Sequence, residues 1–235
     1  MCCRLRRVLR EEKKFLLNYS EFYKVKGFLT QVMTPDSHNN NEGYMVRSLY
    51  FDTLDDLCFV EKMDGVGKRK KIRLRVYDSK AKTAFLEVKQ KDGPYQEKRS
   101  LEVRKNDALE LIDGNYDVLL KYKGEFAKQC YSMLKEGNYK PKTVVEYQRL
   151  AYIAKENSIR ITFDSNVRAT ESNFNIFDSN LLLYPVFPRS TVILEVKFNG
   201  FLLEYIKNFI DNIEKSELSV SKYCLARQVS LGFVY

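Results

Sequence analysis

The feature that most constrains this chain is an alternation of charged and apolar residues that recurs in six separate segments. In a β-strand, residues i, i+2 and i+4 share a face. Lys71, Arg73 and Arg75 therefore lie on one face, with Ile72, Leu74 and Val76 on the other. The same pattern places Glu87, Lys89 and Lys91 opposite Leu86 and Val88, and it sets Arg10, Glu12 and Lys14 on a common face. Tyr147 with Arg149, Arg160 with Thr162 and Asp164, and Glu195 with Lys197 complete the series. A single strand of this kind reads as a half-solvated antiparallel strand. Six of them, rich in Arg and Lys with regularly placed glutamates, point to a sheet that curls around its charged face, as in a barrel with a polar lumen. Cations gathered in low dielectric repel one another unless an anion neutralises them. The implied ligand is a compact polyanion. Arg suits phosphate by its bidentate fork and Lys as a point charge.

The rest of the chain fits an α+β protein with an antiparallel sheet. Strands are predicted over 8–17, Gly43–Phe51, Lys70–Tyr77, Ala84–Lys91, Tyr95–Arg104, 142–154, 158–164 and 191–198. Helices are predicted from Ser20 to Met33, from Thr53 or Asp55 to Gly65, over Asn106–Ile112 and Tyr116–Lys135, over 200–214, and from Ser219 or Ser221 to about 230. Residues 173–188 read as a loop or short strand with no assigned role. No linker divides the 235 residues, so the expectation is one domain over 1–235.

Composition removes several chemistries. His38 is the only histidine and sits in a polar loop, which excludes Ser-His-Asp and Cys-His catalysis and a His-rich zinc site. Neither a phosphate-binding Gly-x-x-x-x-Gly-Lys-Ser/Thr loop nor a Gly-x-Gly-x-x-Gly motif occurs. Five cysteines without regular spacing argue for a reducing compartment, hence a cytoplasmic location, with Cys2 and Cys3 expected to be unmodified. The most apolar stretches, Leu181–Phe187 and Phe201–Ile210, are too short to span a bilayer. The net charge of +9 permits nucleic-acid binding, but the alternation of Lys71, Arg73 and Arg75 with apolar residues is unlike a solvated basic arm, so no nucleic-acid partner is expected. Glutamates placed two residues before lysines, as in Glu12/Lys14, Glu87/Lys89 and Glu195/Lys197, can hold a divalent cation beside phosphate or can pair with neighbouring cations.

The ordered set Arg10-Glu-Glu-Lys-Lys14-Phe, Arg47-Ser-Leu-Tyr-Phe-Asp52, Lys71-Ile-Arg-Leu-Arg75, Phe85-Leu-Glu-Val-Lys89, Glu97-Lys-Arg99, Tyr147-Gln-Arg149, Arg160-Ile-Thr-Phe-Asp164, Leu194-Glu-Val-Lys197 and Ser221-Lys-Tyr223 covers nearly the whole chain. It resembles the polyphosphate polymerase (VTC) domain of the triphosphate tunnel metalloenzyme, or CYTH-like, superfamily. The resemblance implies a closed eight-stranded antiparallel β-barrel with flanking helices. It implies that Lys14, Arg73, Arg75, Lys89, Lys98, Arg149 and Arg160 are the catalytic cations on the triphosphate. It assigns substrate binding to Tyr147, Lys197, Ser221, Lys222 and Arg227, and Mn²⁺ or Mg²⁺ to Glu195, with Glu87 and Glu12 as further candidates. The implied activity is transfer of the γ-phosphate of a nucleoside triphosphate to a growing inorganic polyphosphate chain. The alternatives are an inorganic triphosphatase or related triphosphate enzyme, or a non-catalytic polyphosphate-binding module. Triphosphate hydrolases of the superfamily usually carry Glu-x-Glu-x-Lys on the first strand. Arg10 stands at the first of those positions here, which favours the polymerase branch.

Overall fold

The computed structural model describes residues 10–40, 42–93, 95–219 and 221–232. The expected strand start at residue 8 and the Cys2-Cys3 terminus lie outside the described residues. In chain order, β1 (Arg10–Leu17) leads into α1 (Tyr19–Val32), the short β2 (Thr34–Pro35), β3 (Tyr44–Asp52) and α2 (Leu57–Met63). Three consecutive strands follow, β4 (Lys68–Val76), β5 (Thr83–Asp92) and β6 (Tyr95–Arg104). Next come α3 (Lys105–Ile112), a 3-10 helix over Tyr116–Lys121 and α4 (Glu125–Glu136). The chain returns through β7 (Lys140–Ile153), β8 (Arg160–Thr170), the short β9 (Tyr184–Pro185) and β10 (Val192–Asn199). It ends in α5 (Glu204–Asp211), the short β11 (Ser216–Glu217) and α6 (Lys222–Ser230). No helix among the described residues is long and apolar enough to cross a membrane.

All the strands belong to one antiparallel sheet in the order β11-β1-β10-β8-β7-β3-β4-β5-β6, with β2 added to β7 and β9 to β8. The apolar residues of the alternating strands build the outer face. Ile161, Phe163, Leu194 and Val196 pack under Val25 and Leu29 of α1 and Ile206 and Ile210 of α5. Leu49, Ile72, Leu74, Leu86 and Val103 pack under Ala108, Leu111, Leu119, Cys130 and Leu134. These side chains are buried, and each Val, Leu, Ile or Phe among them contributes roughly 1.5–3 kcal/mol. The charged residues of the same strands consequently face the concave side.

Two sequence expectations change at helix ends. Asn18, not Ser20, caps α1, accepting from the Glu21 N–H at 2.9 Å, and the acidic Glu21 sits favourably in the first turn. The expected helix over Tyr116–Lys135 is two pieces, because Gly124 takes φ +116° and breaks it before α4. Residues 173–188 form the expected loop, with the short strand β9 within it, and are packed onto the sheet. Ile176, Phe177, Leu181 and Val186 are buried against the sheet, and the Arg47 guanidinium donates to the Ile176 and Asp178 carbonyls at 3.0 and 2.6 Å.

The expected closed eight-stranded barrel is not what forms. The sheet has 11 strands, its path ends at β6 and at β11, which lies on β1, and neither β11 nor β1 pairs with β6. The sheet curls only until inward side chains meet, with Lys89 of β5 on Glu12 of β1 at 3.2 Å. Along β6, Tyr95, Glu97, Lys98 and Ser100 are exposed. The edge strand β6 and the flank of β1 present charged side chains, Lys98 on one and Glu12 and Lys14 on the other, and the β1 edge is taken at Phe15 and Leu16 by β11. Charged edge positions are also a usual obstacle to strand pairing. The result is an open trough.

Candidate functional site

The trough is lined from several strands and closed at one end by α6. On β4, Arg73 and Arg75 point inward while Ile72 and Leu74 are completely buried on the other face. Arg73 donates to Glu87 at 2.6 Å and to the Tyr50 hydroxyl at 3.3 Å. Arg75 donates to Ser48 Oγ at 3.0 Å and lies 3.7 Å from Glu87. Lys98 from β6 also pairs with Glu87. Burial alone would raise the Glu87 pKa, but Arg73 and Arg75, joined by Lys98, pull it down to about 2. Three cations thus share one ionised carboxylate.

A second group forms where β7, β8 and β10 meet the start of α6. Arg149 makes a two-pronged pair with Asp164 at 2.6 and 2.7 Å and reaches Glu195 at 3.5 Å. Lys222, the first residue of α6, bridges Asp164 at 2.5 Å and Glu195 at 2.9 Å. Lys197 reaches Glu195 at 2.7 Å. The Tyr147 ring lies beneath both cations, 4.9 Å from Lys222 Nζ and 5.2 Å from the Arg149 guanidinium. Burial opposes ionisation of Glu195, yet Lys197, Lys222 and Arg149 hold its pKa well below the usual range. Asp164 behaves alike, with burial overcome by Arg149 and Lys222.

Glu12 joins the groups, pairing with Lys14 at 2.9 Å and Lys89 at 3.2 Å. Lys71 donates to Ser221 Oγ at 2.6 Å, and that same oxygen caps α6 by accepting from the Cys224 N–H at 3.3 Å. A second tie fixes the helix. Asp52 accepts from Tyr223 OH at 2.5 Å and from the Cys58 and Phe59 N–H groups at the start of α2. Gly43, at φ +91°, lets β3 begin against β7, since a Cβ there would stand 2.2 Å from the Arg149 carbonyl oxygen.

The structure therefore brings together Glu12, Lys14, Arg73, Arg75, Glu87, Lys89, Lys98, Tyr147, Arg149, Glu195, Lys197, Ser221 and Lys222. It places Arg160 at the rim, on Asp36 at 2.6 Å and the Tyr44 hydroxyl at 3.2 Å. His38 lies there too, outside the trough, on Asp36 at 2.8 Å. It does not bring Arg227 to the site. Arg227 pairs with Asp56 at 2.5 Å and Glu171 at 2.7 Å, so the helix that presents Lys222 inward turns Arg227 away. Sequence reasoning missed Asp164 as a functional carboxylate, although its place on the Arg160–Thr162–Asp164 face was a usable signal. It also missed the parts played by Asp52, Tyr50 and Lys71, although Tyr50 and Asp52 stand in the Arg47–Asp52 motif and Lys71 shares a face with Arg73 and Arg75; the α6 partners of Asp52 and Lys71 lie far along the chain.

No three His, Cys, Asp or Glu side chains gather into a metal-binding group among the described residues. The donor set still fits a hard cation that shares phosphate oxygens, because such ions need only one or two protein carboxylates. Glu195 is the best placed. Thr162 is its cross-strand neighbour, fully buried, and its Oγ1 has no hydrogen-bond partner. An orphaned hydroxyl beside an ionised carboxylate leaves a donor and an acceptor for a ligand. Glu195 is itself paired with Arg149, Lys197 and Lys222, as Glu87 is with three cations and Glu12 with two, so the Thr162 hydroxyl is what distinguishes Glu195 from the other two candidates.

Comparison with solved structures finds distant likenesses. A Bacillus halodurans protein provisionally named an adenylate cyclase is 14% identical over 86% of this chain and 88% of its own, with a TM-score of 0.47. A Vibrio parahaemolyticus protein with the same provisional name is 14% identical over 88% of this chain and 87% of its own, TM-score 0.43. A Pyrococcus horikoshii protein is 14% identical over 86% of each chain, TM-score 0.39. No curated protein matches the sequence. The family model for the VTC domain matches residues 9–231. That match runs from the start of β1 past the end of α6 and takes in every trough residue described above, and the chain belongs to the VTC domain family.

Proposed function

We propose that this chain is a polyphosphate polymerase of the triphosphate tunnel superfamily, transferring the γ-phosphate of a nucleoside triphosphate to the end of an inorganic polyphosphate chain. The observation that carries this reading is the cluster of Arg73, Arg75, Arg149, Lys197 and Lys222 on one concave face, around carboxylates that stay ionised. Phosphoryl transfer needs little covalent help from a protein and depends on positioning and charge neutralisation.

Arg73, Arg75 and Arg149 offer guanidinium forks to phosphate oxygens, and Lys14, Lys89 and Lys222 offer point charges. Glu87, Asp164 and Glu195 fix the directions of these cations, so little reorganisation is left for the moment of reaction. Tyr147 and Tyr50 supply hydroxyls beside Arg75 and Arg73. Glu195 would hold Mn²⁺ or Mg²⁺, with the Thr162 hydroxyl on the same face, and the ion would withdraw charge from phosphate oxygens. The acceptor, a terminal phosphate, is already an oxyanion. The interior accordingly needs no histidine base, and His38 stands outside it.

The test is incubation of the protein with ATP and Mn²⁺, with and without a short polyphosphate primer, followed by gel and ³¹P NMR analysis. A polyphosphate ladder with ADP, lost in Glu195→Gln, is the expected result. Orthophosphate without a ladder would instead place the chain among triphosphate hydrolases.

A further inference from the structure

At the end of β4 away from α6, the row of inward cations gives way to an aromatic layer. Lys71 meets Ser221 at the start of α6, Arg73 and Arg75 follow, and Tyr77 stands next, just past the strand's last residue, Val76. Successive residues on one face of a strand are about 7 Å apart, so this row covers roughly 20 Å. The Tyr77 ring lies 6.2 Å from Phe85 of β5 and 6.0 Å from Tyr44 of β3, and His38 lies 6.3 Å beyond Tyr44. Two guanidinium groups border the layer. Arg75 stands 6.0 Å from the Tyr77 ring, and Arg160 donates to the Tyr44 hydroxyl at 3.2 Å. The layer is open to solvent, with Tyr77 44% exposed and the His38 side chain 80% exposed. The tyrosines deeper in the trough, Tyr50 and Tyr147, are buried and accept hydrogen bonds from Arg73 and Arg75. Tyr77 is thus an exposed ring held from the side by two others, directly beside the phosphate-binding cations.

We propose that this rim is a nucleobase platform: the base of the nucleoside triphosphate stacks on Tyr77, and its phosphates run down β4 over Arg75 and Arg73. This rests on the proposed nucleotide-dependent function and adds to it where the nucleoside sits and which way the substrate points. Cations alone suit any short phosphate chain. Inorganic triphosphate has no apolar face to lay on a ring, whereas a nucleotide carries a planar base at one end and its charge at the other. The order aromatic, then guanidinium, along one strand matches that molecule and points its γ-phosphate toward α6. Stacking on an aromatic ring tolerates any base, because every base has a π-face. The platform consequently distinguishes a nucleotide from inorganic triphosphate and not one base from another.

The experiment titrates the whole chain with three probes: tripolyphosphate, the non-hydrolysable β,γ-imido analogue of ATP, and 2-aminopurine riboside triphosphate, whose fluorescence falls when its base stacks. Wild type is expected to bind all three and to quench the 2-aminopurine. Tyr77→Ala is expected to weaken both nucleotides by about fivefold or more and to lose the quenching. Its affinity for tripolyphosphate is expected to stay within about twofold of wild type, which also shows that the variant is folded. Tyr77→Phe keeps the ring and is expected to behave as wild type. If Tyr77→Ala loses tripolyphosphate as strongly as nucleotide, the ring serves only to support Arg75 and the platform is overturned. Unchanged nucleotide binding by Tyr77→Ala overturns it too, as does a wild type that binds nucleotide with the base unquenched, and both results leave the proposed activity standing. A wild type that binds tripolyphosphate and neither nucleotide fails the nucleotide-dependent function itself and takes the platform with it.

Discussion

Glu87 shows how a single carboxylate sets up a cationic site. Its folded pKa is about 2 against an ordinary 4.5. A depressed carboxylate pKa contributes stability that is fully present above the unfolded value and is lost as pH falls through the folded one. The window is therefore pH 4.5 down to about 2. The size is about 3 kcal/mol, since each unit is worth 1.36 kcal/mol. Chemical denaturation of wild type and Glu87→Gln should differ by about that much at neutral pH and converge toward pH 2. A difference that does not change with pH would mean that the pairs with Arg73, Arg75 and Lys98 do not form. Gly43 gives a steric counterpart. Gly43→Ala puts a Cβ 2.2 Å from the Arg149 carbonyl oxygen at φ +91°, so β3 and β7 must part there. A loss of about 2 kcal/mol or more in denaturation is expected, with phosphate affinity falling because Arg149 moves. At this scale the sequence showed which residues face inward, because the period of a strand is two. It did not show which carboxylate meets which cation, because partners such as Lys222 and Asp164 are set by a helix docked from far along the chain.

Among the elements, α6 connects fold and site. Its first residue enters the second group of charges and its second residue hangs from Asp52, which also holds the start of α2. The two attachments separate experimentally. Tyr223→Phe removes one hydrogen bond to a charged acceptor and should cost about 1.5–3 kcal/mol in urea denaturation, with Lys222 still in place. Lys222→Met leaves Asp164 and Glu195 short of a cation in a buried setting and should cost about 3–5 kcal/mol, with phosphate binding lost. If Tyr223→Phe abolished phosphate binding while leaving stability unchanged, the anchoring role of Asp52 would be wrong. The long strands were legible to within about two residues, since their alternation survives any neighbour, except that β8 runs on to Thr170 where the expected strand stopped at 164. The α4 region was not, because an apolar pattern through Tyr116–Lys135 gives no notice that Gly124 sits at positive φ. The packing of the 173–188 segment was illegible for a different reason. Its buried residues follow no period, and its backbone is secured by Arg47 from a distant strand.

At the level of the whole molecule, the sequence implied a curled sheet, and the expectation of closure came from the family resemblance. Closure demands that β6 meet β1, but β11 already lies on the β1 edge at Phe15 and Leu16, and the side chains that approach across the gap pair with one another, Lys89 with Glu12. Curvature was encoded in the apolar outer face, while the occupant of the β1 edge, Ser216–Glu217, comes from far along the chain. Lys71 in the trough is held below its ordinary pKa by burial, with Lys14 and Lys89 contributing, so the protein without ligand should sit below its attainable stability. An anion that binds the folded trough and not the unfolded chain stabilises by about 2.7 kcal/mol at a hundred times its Kd. For a chain of this size each kcal/mol moves Tm by roughly 2–4 °C. Tripolyphosphate at that concentration should then raise Tm by about 5–10 °C. Arg73→Ala/Arg75→Ala should melt with tripolyphosphate much as it melts without. Added salt should shrink the wild-type shift only in part, because exposed cations such as Lys98 are screened while Arg149 and Lys222 are buried. Differential scanning calorimetry across a salt series separates the two contributions. A shift abolished by moderate salt would place the anion on the exposed lip alone, and a shift retained by the double variant would remove Arg73 and Arg75 from the site.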